Sequence, residues 1–232
     1  MAQYLITGAN RGIGLEFIRQ LLARGDRVIA ACRHTARASE LNQLSGEYPG
    51  HLKVLPLDVA EPRSIDELVR EIGMLEIVID VLINNAGVLT PGEAFGEVEA
   101  KALDQAFTTN AQGPFLLTQS LATRLAEKAK VVSISSGLGS IARTQRFGTP
   151  SYNISKAALN MAVRLLGHAL ADRGIAVLAL SPGWVRTEMG GDKADLDVTE
   201  SVANMLKVID GLEFDPNTIG QFLGNTGEPV PW

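Results

Sequence analysis

The sequence predicts an α/β domain built on a doubly wound parallel sheet, a three-layer sandwich with helices on both faces. Three observations carry this. Short runs rich in Val, Ile and Leu are continuous rather than alternating in polarity, as strands covered on both faces must be. Amphipathic stretches with apolar residues three and four apart separate these runs, so the chain reads strand–helix–strand throughout. A glycine-rich turn stands at the first strand–helix junction, beyond the carboxyl end of a strand, where open parallel sheets take their ligands.

In chain order the predicted strands are Tyr4–Ile6, Arg27–Ala31, Leu52–Leu57, Val78–Ile83, Lys130–Ile134, Ala176–Leu180 and the shorter signal Ile219–Leu223. Helix follows the first strand over Leu15–Ala23, with Leu15, Ile18 and Leu22 on one face. Ile65, Leu68, Val69 and Ile72 repeat that spacing after the third strand. Leu103–Leu125 and Ser151–Leu170 flank the fifth strand, and helix resumes near Val198. Two segments break the rhythm, Gly137–Pro150 and Arg186–Asp197. Both emerge at carboxyl ends of strands and are expected to form the substrate loops. No linker, repeat or composition shift divides the chain, so residues 1–232 read as one domain.

Composition removes several functions. Lys and Arg number 21 against 26 Asp and Glu, a formal charge of −5, which argues against a broad nucleic-acid-binding face. The single cysteine, Cys32, permits no internal disulfide, and three scattered histidines suggest no metal cage. No apolar run approaches the roughly 20 residues that span a bilayer, and the N-terminus carries no leader pattern. A soluble cytoplasmic protein, with neither nucleic acid nor membrane as partner, is expected.

The first turn reads T-G-A-N-R-G-I-G, Thr7 to Gly14. Gly8 permits a tight turn, Gly12 lets backbone approach a diphosphate, and Gly14 lets helix pack on strand. The loop through Asn10, Arg11, Gly12, Ile13 and Gly14 then presents free N–H groups and a positive helix end to an anion. An acid about 20 residues further on would bind the ribose 2′-OH of NAD, but the second strand ends Ala31-Cys32-Arg33-His34. Arg33, with Arg11 and with Arg37 as a further candidate, could hold a 2′-phosphate instead, which predicts NADP(H) in preference to NAD(H).

Further along stand N-N-A-G (Asn84–Gly87), Asn110 in T-N-A-Q-G-P-F, Ser136 in V-V-S-I-S-S, Y-N-I-S-K with Tyr152 and Lys156, and Pro182-Gly183. This set resembles the short-chain dehydrogenase/reductase family in its single-domain, Rossmann-like branch, over essentially the whole chain. The string P-G-W-V-R-T-E-M-G-G and the ending G-E-P-V-P-W look most similar to C-factor-like carbonyl reductases.

Chemistry supports that resemblance. Tyr152 and Lys156 are four apart and share a helix face. A phenol titrates near pH ~10, and a neighbouring ammonium with a cationic nicotinamide is expected to lower that value, so that Tyr152 acts as acid for carbonyl reduction and base for alcohol oxidation. Ser136 can donate to the substrate oxygen as charge develops there. Ser135 is adjacent and, by alternation, faces the other way; the family pattern selects Ser136. The resemblance further implies that Lys156 bonds the nicotinamide ribose, that Asn110 holds a water toward the lysine, and that Asp58-Val59 meets the adenine. It also implies that Asn85, Ala86 and Gly87 line the adenosine-side ribose through backbone, while Pro182, Gly183, Val185 and Thr187 receive the carboxamide and diphosphate.

Ser136 and Tyr152 are sixteen positions apart, a few more than is usual in the family, and the extra residues in Gly139–Thr149 are expected to reshape the pocket mouth. Leu138, Phe147, Trp184 and Met189 are the candidate substrate contacts, giving a mainly apolar pocket for a small carbonyl or alcohol. A homo-oligomer, dimer or tetramer, pairing through Leu103–Leu125 and Ser151–Leu170 is implied. The alternative to hydride transfer is a nucleotide-binding regulatory or signalling protein of the same fold.

Overall fold

The structure, a computed structural model, describes residues 1–232. Its strands are β1 (Gln3–Thr7), β2 (Arg27–Cys32), β3 (Leu52–Pro56), β4 (Ile79–Asn84), β5 (Leu125–Ile134), β6 (Ala176–Ser181) and β7 (Gln221–Gly224). They form one sheet in the order β3-β2-β1-β4-β5-β6-β7, with every neighbouring pair parallel. The helices are α1 (Gly12–Ala23), α2 (Ser39–Glu47), α3 (Pro62–Met74), α4 (Ala100–Phe107), α5 (Gly113–Leu121), α6 (Pro150–Ala169) and α7 (Val198–Asp210). The doubly wound fold class read from the sequence is the one observed.

The continuous apolar runs are explained by their two destinations. Leu5, Ile29, Leu82, Val131 and Val177 point into one core with Leu117, Val163 and Leu166. Their chain neighbours Ile6, Val28, Ile83, Val132 and Leu178 point into the other, with Phe17, Ile18, Val202 and Met205. A residue-by-residue alternation of side chains thus needs an apolar residue at every position. Full burial of each Leu or Ile contributes about 1.5–3 kcal/mol relative to exposure.

Three elements differ from expectation. Helix α1 begins at Gly12 instead of Leu15, placing two of the turn's glycines in its first helical turn. Strand β5 begins at Leu125, five residues before the apolar run, through the polar stretch Ala126–Lys128, where Lys128 takes a positive φ of 60°. The predicted helix Leu103–Leu125 is broken: α4 and α5 are separated by a π-helical segment, Thr108–Gln112, and Ala122–Arg124 is a 3-10 turn. A widened turn rotates the apolar stripe by about 100°, but the helices on either side are too short for their spacing to show it. No helix is long and apolar enough to cross a membrane.

The strand order reverses beside β1, so a crevice opens beyond the carboxyl ends of β1 and β4. The glycine turn, the N-N-A-G segment and the N-terminus of α1 all meet there.

Candidate active site

The glycine turn is fixed from β4. Thr7, the last residue of β1, is buried, and its Oγ1 accepts from the backbone N–H groups of Asn85 and Ala86, both at 3.0 Å. Asn85 returns two bonds, its Nδ2 donating to the carbonyls of Thr7 (2.9 Å) and Gly8 (3.1 Å). Gly8 has a φ of +63°, and a Cβ there would stand 2.8 Å from Ala86 Cα. A Cβ on Gly14 would stand 2.3 Å from the Gly8 carbonyl oxygen. Gly12, with φ +53°, faces only the Thr187 methyl at 3.6 Å, leaving room above the turn.

Helix α1 has no side-chain cap and no acid in its first turn. Its first N–H groups, at Gly12, Ile13 and Gly14, have no intrahelical acceptor and remain available to an anion.

The flanking candidates are placed as follows. Arg33 follows β2, is exposed and has no carboxylate partner, nor does Arg37. Arg11, expected beside Arg33, is instead ion-paired with Glu188 of the 186–197 segment. Both partners are exposed, so the pair contributes at most about 1 kcal/mol and yields readily. Asp58 caps the approach to α3, its Oδ1 accepting from Ala60 N–H at 3.0 Å, while its own N–H donates to Ser64 Oγ at 2.9 Å. Val59 is packed against α5, where a Cβ on Gly113 would stand 2.6 Å from its carbonyl oxygen. The backbone of Asn85–Gly87 lines the crevice, but the Asn85 side chain braces the turn.

Beyond β5 the two serines part. Ser135 is buried and donates to Asn160 Oδ1 at 2.6 Å; Ser136 is half-buried, accepts from Leu138 N–H at 3.1 Å and stands beside the Tyr152 phenol. Tyr152 and Lys156 lie one turn apart on α6, both buried, with Lys156 Nζ 5.5 Å from the centre of the tyrosine ring. Lys156 Nζ donates to the Ile134 carbonyl at 2.7 Å and has no acid near it. A Cβ on Gly87 would stand 3.7 Å from Nζ and 3.3 Å from Asn110 Oδ1, so N-N-A-G runs past both. Asn110 sits in the π-helical segment. Its Oδ1 accepts from Val88 N–H (2.8 Å), and its Nδ2 donates to the Val88 carbonyl and Ser155 Oγ (both 2.9 Å). Ser155 in turn donates to the Tyr152 carbonyl at 2.8 Å.

Burial governs the titration of this pair in the protein alone. Burial pushes the Tyr152 phenol up to about 12, with the Ser136 hydroxyl pulling weakly the other way, and burial brings the Lys156 ammonium down to about 8. The lysine alone does not acidify the phenol, because desolvation of the phenolate outweighs an ammonium that lies over the ring. Near neutral pH the pair therefore holds both protons.

The loop residues do not all converge. Leu138 and Phe147 line a groove of about 280 Å³ between the 138–148 loop and the Asn153, Ile154 and Ala157 flank of α6. Ser136, Tyr152 and Lys156 are not part of its wall, and Phe147 is instead set edge-on to Phe95 with ring centres 5.5 Å apart. Trp184 is held by its Nε1 to the Gly190 carbonyl (2.9 Å), and Arg186 donates to the carbonyls of Ala194 and Asp195. That loop, with Thr187 over Gly12 and Met189 exposed, closes over the glycine turn from above. Gly183, with φ +81°, turns the chain out of β6 into it.

The residues present fit a dinucleotide. A glycine-rich cradle with room above Gly12 leads into an uncapped helix end, and a buried ammonium with three donors has one acceptor. Periodicity could not show Thr7, Ser155 or Val88 as parts of this site; only the adjacency of Ser155 to Lys156 in Y-N-I-S-K hints at it.

A family model described as short chain dehydrogenase matches residues 3–197. The chain is 43% identical over 156 residues to C-signal of Myxococcus xanthus, an alignment covering 66% of this chain and 93% of that protein. Its structure is similar to carbonyl reductase Sniffer of D. melanogaster, with 30% identity, a TM-score of 0.94 and both chains fully covered. It is also similar to the NADPH bound carbonyl reductase from chicken fatty liver, with 37% identity, a TM-score of 0.92, and 100% of this chain and 99% of that one covered.

Two outcomes are expected. Gly14→Ala forces a methyl against the Gly8 carbonyl and destabilises the fold by about 1–3 kcal/mol, seen as a lower chemical midpoint, with dinucleotide affinity falling in parallel. Lys156→Met removes a buried, incompletely satisfied charge. The folded-state value near 8 lies below the unfolded 10.5, so the penalty is fully present below pH 8 and is relieved as pH rises toward 10.5. Calorimetry at pH 7 should show Tm raised by roughly 2–6 °C, a gain that shrinks steadily between pH 8 and 10.

Proposed function

The chain belongs to the short-chain dehydrogenase family, and we propose that it is a carbonyl reductase that prefers NADP(H) and acts on small, mainly apolar aldehydes and ketones. That it is a hydride-transfer oxidoreductase follows from the family. The observation that carries this reading is the grouping of Ser136, Tyr152 and Lys156 beside an uncapped glycine turn, with the Lys156 ammonium 5.5 Å from the centre of the tyrosine ring.

The coenzyme, when bound, exchanges a hydride with the substrate carbon at its nicotinamide. The loop from Asn10 to Gly14 would hold the diphosphate, Arg33 and Arg11 the 2′-phosphate, and Asn85, Ala86 and Gly87 the adenosine-side ribose. Asp58 and Val59 would flank the adenine. Pro182, Gly183, Val185 and Thr187 would face the carboxamide end, and Tyr152 and Lys156 the nicotinamide ribose.

The protein's own work is proton transfer and charge stabilisation. Tyr152 donates its proton to the substrate oxygen, Ser136 donates a hydrogen bond to the same oxygen, and the Lys156 ammonium stabilises the phenolate left behind. Near neutral pH the phenol carries its proton, the form that carbonyl reduction requires. Asn110 has both amide protons committed to Val88 and Ser155, so we assign it a positioning role; a water on the path to Lys156 would have to use its main chain or remaining oxygen lone pair. Leu138, Trp184 and Met189 supply apolar contact, with Phe147 reached only by a substrate that extends along the loop.

Exposed Ile154, Met161 and Leu165 lie on one outer stripe of α6 and support pairing of two copies there. A second reading, a signalling protein in which turnover is incidental, is favoured by the similarity to C-signal.

Three measurements test these readings. NADPH should be consumed with a panel of carbonyls at a KM roughly tenfold or more below that of NADH, and Arg33→Ser should erase the difference by raising the NADPH value alone. Tyr152→Phe should lower kcat by about 10²–10⁴-fold while dinucleotide binding survives, weakened only by the loss of the phenol's contact with the nicotinamide ribose; a parent without turnover would leave the signalling reading. Reductive kcat/KM should stay level below pH 8 and decline above it, as Lys156 loses its charge while Tyr152 keeps its proton.

A further inference from the structure

Residues Glu228–Trp232 turn back along the outer side of β7. Gly224 N–H donates to the Glu228 carbonyl and Val230 N–H to the Phe222 carbonyl, both at 2.8 Å, with Leu223 and Pro229 in antiparallel register. Val230 is buried in the sheet's core. The Trp232 ring stacks on Phe222 with centres 5.5 Å apart, and the Arg164 guanidinium lies 6.0 Å from its centre. From this anchorage the main chain reaches the loop after β5: the Trp232 carbonyl accepts from Ala142 N–H at 2.9 Å, and the Pro231 carbonyl accepts from the buried Ser140 hydroxyl.

Ser140 is the hub of that loop. Its Oγ also accepts from Arg143 N–H at 3.2 Å, and its carbonyl accepts from Thr144 Oγ1 at 3.0 Å. The preceding residues are held separately by α6, through Asn160 Nδ2 to the Gly139 carbonyl (3.2 Å) and through the close packing of Gly139 on Lys156. The loop thus has two anchors. One belongs to the helix that carries the candidate tyrosine; the other is the strap ending at Trp232.

We propose that Trp232 is a positioning residue for the carbonyl substrate: clamped between Phe222 and Arg164, it fixes the Ser140–Thr144 turn and thereby the placement of Leu138 before it and Phe147 after it. The inference rests on the reading of residues 137–150 as a substrate loop. Nothing in the strap touches the glycine turn or α1, so coenzyme binding should be indifferent to it. An aromatic anchor loses its hold when truncated but keeps it when replaced by another ring of similar thickness.

The test uses the full chain with Trp232→Ala, Trp232→Phe and Ser140→Ala. Trp232→Ala should raise the KM for a ketone about fivefold while kcat and the KM for NADPH stay within about twofold. Trypsin should cut the folded variant after Arg143 or Arg146 roughly tenfold faster than the parent, because the turn opens locally. Trp232→Phe should restore both properties, and Ser140→Ala, which breaks the strap from the loop side, should reproduce them should Trp232→Ala fail to fold. Parental ketone KM and parental trypsin rate in a folded Trp232→Ala would overturn the proposal. So would a joint drift of kcat and both KM values, which marks general loosening. A parent with no turnover on any carbonyl would overturn the functional reading; the trypsin comparison would then still decide whether the strap holds the loop.

Discussion

An ammonium buried without a counter-charge is the constraint around which this molecule is arranged. Lys156 Nζ has a single acceptor, the carbonyl of Ile134, and lies beneath the ring of Tyr152. A charge in that setting is tolerated only when the surrounding structure is too well packed to let it reach water. The packing is visible: Gly139 against the lysine's own backbone, Ser135 and Asn160 joined across β5 and α6, and Val163 and Leu166 carrying α6 into the core. What the fold gains is a buried phenol and a buried ammonium held side by side.

Rigidity is supplied by polar links between elements distant in sequence. Thr7 and Asn85 lock the first turn to the end of β4, so the helix N-terminus and the N-N-A-G backbone form one unit. Asn110, through Val88 and Ser155, ties the π-helical segment to the tyrosine's own backbone carbonyl. A π segment opens the helix by one residue and aims a side chain that a regular turn would point elsewhere, which accounts for the broken α4–α5 pair. The candidate acid is held in place through backbone and hydroxyl groups, with no direct bond to Asn110.

The loops are treated differently. The 186–197 segment closes on itself through Trp184 and Arg186 and touches the cradle through Thr187 and Glu188. The loop after β5 relies on partners outside itself, α6 at one end and the strap at the other. The glycine turn and the loop after β5 thereby have separate supports, so one can vary while the other stays fixed.

The sequence by itself determined the fold class, the place of the glycine turn at the first strand–helix junction and the sharing of one helix face by Tyr152 and Lys156, because each depends on local spacing: strand period, helical period, and the four-residue offset that puts two side chains on one face. It also selected Arg33 by the absence of an acid. Helix breakage at Thr108–Gln112 and the polar start of β5 escaped it, since the helices flanking the break are short and the added strand residues carry no continuous apolar run. Tertiary structure alone decided the direction of the Tyr152 shift, the pairing of Arg11 with Glu188, the spent amide of Asn110 and the strap at Trp232. Burial and long-range hydrogen bonds are properties of what the folded chain brings together, and no window along the sequence contains both partners.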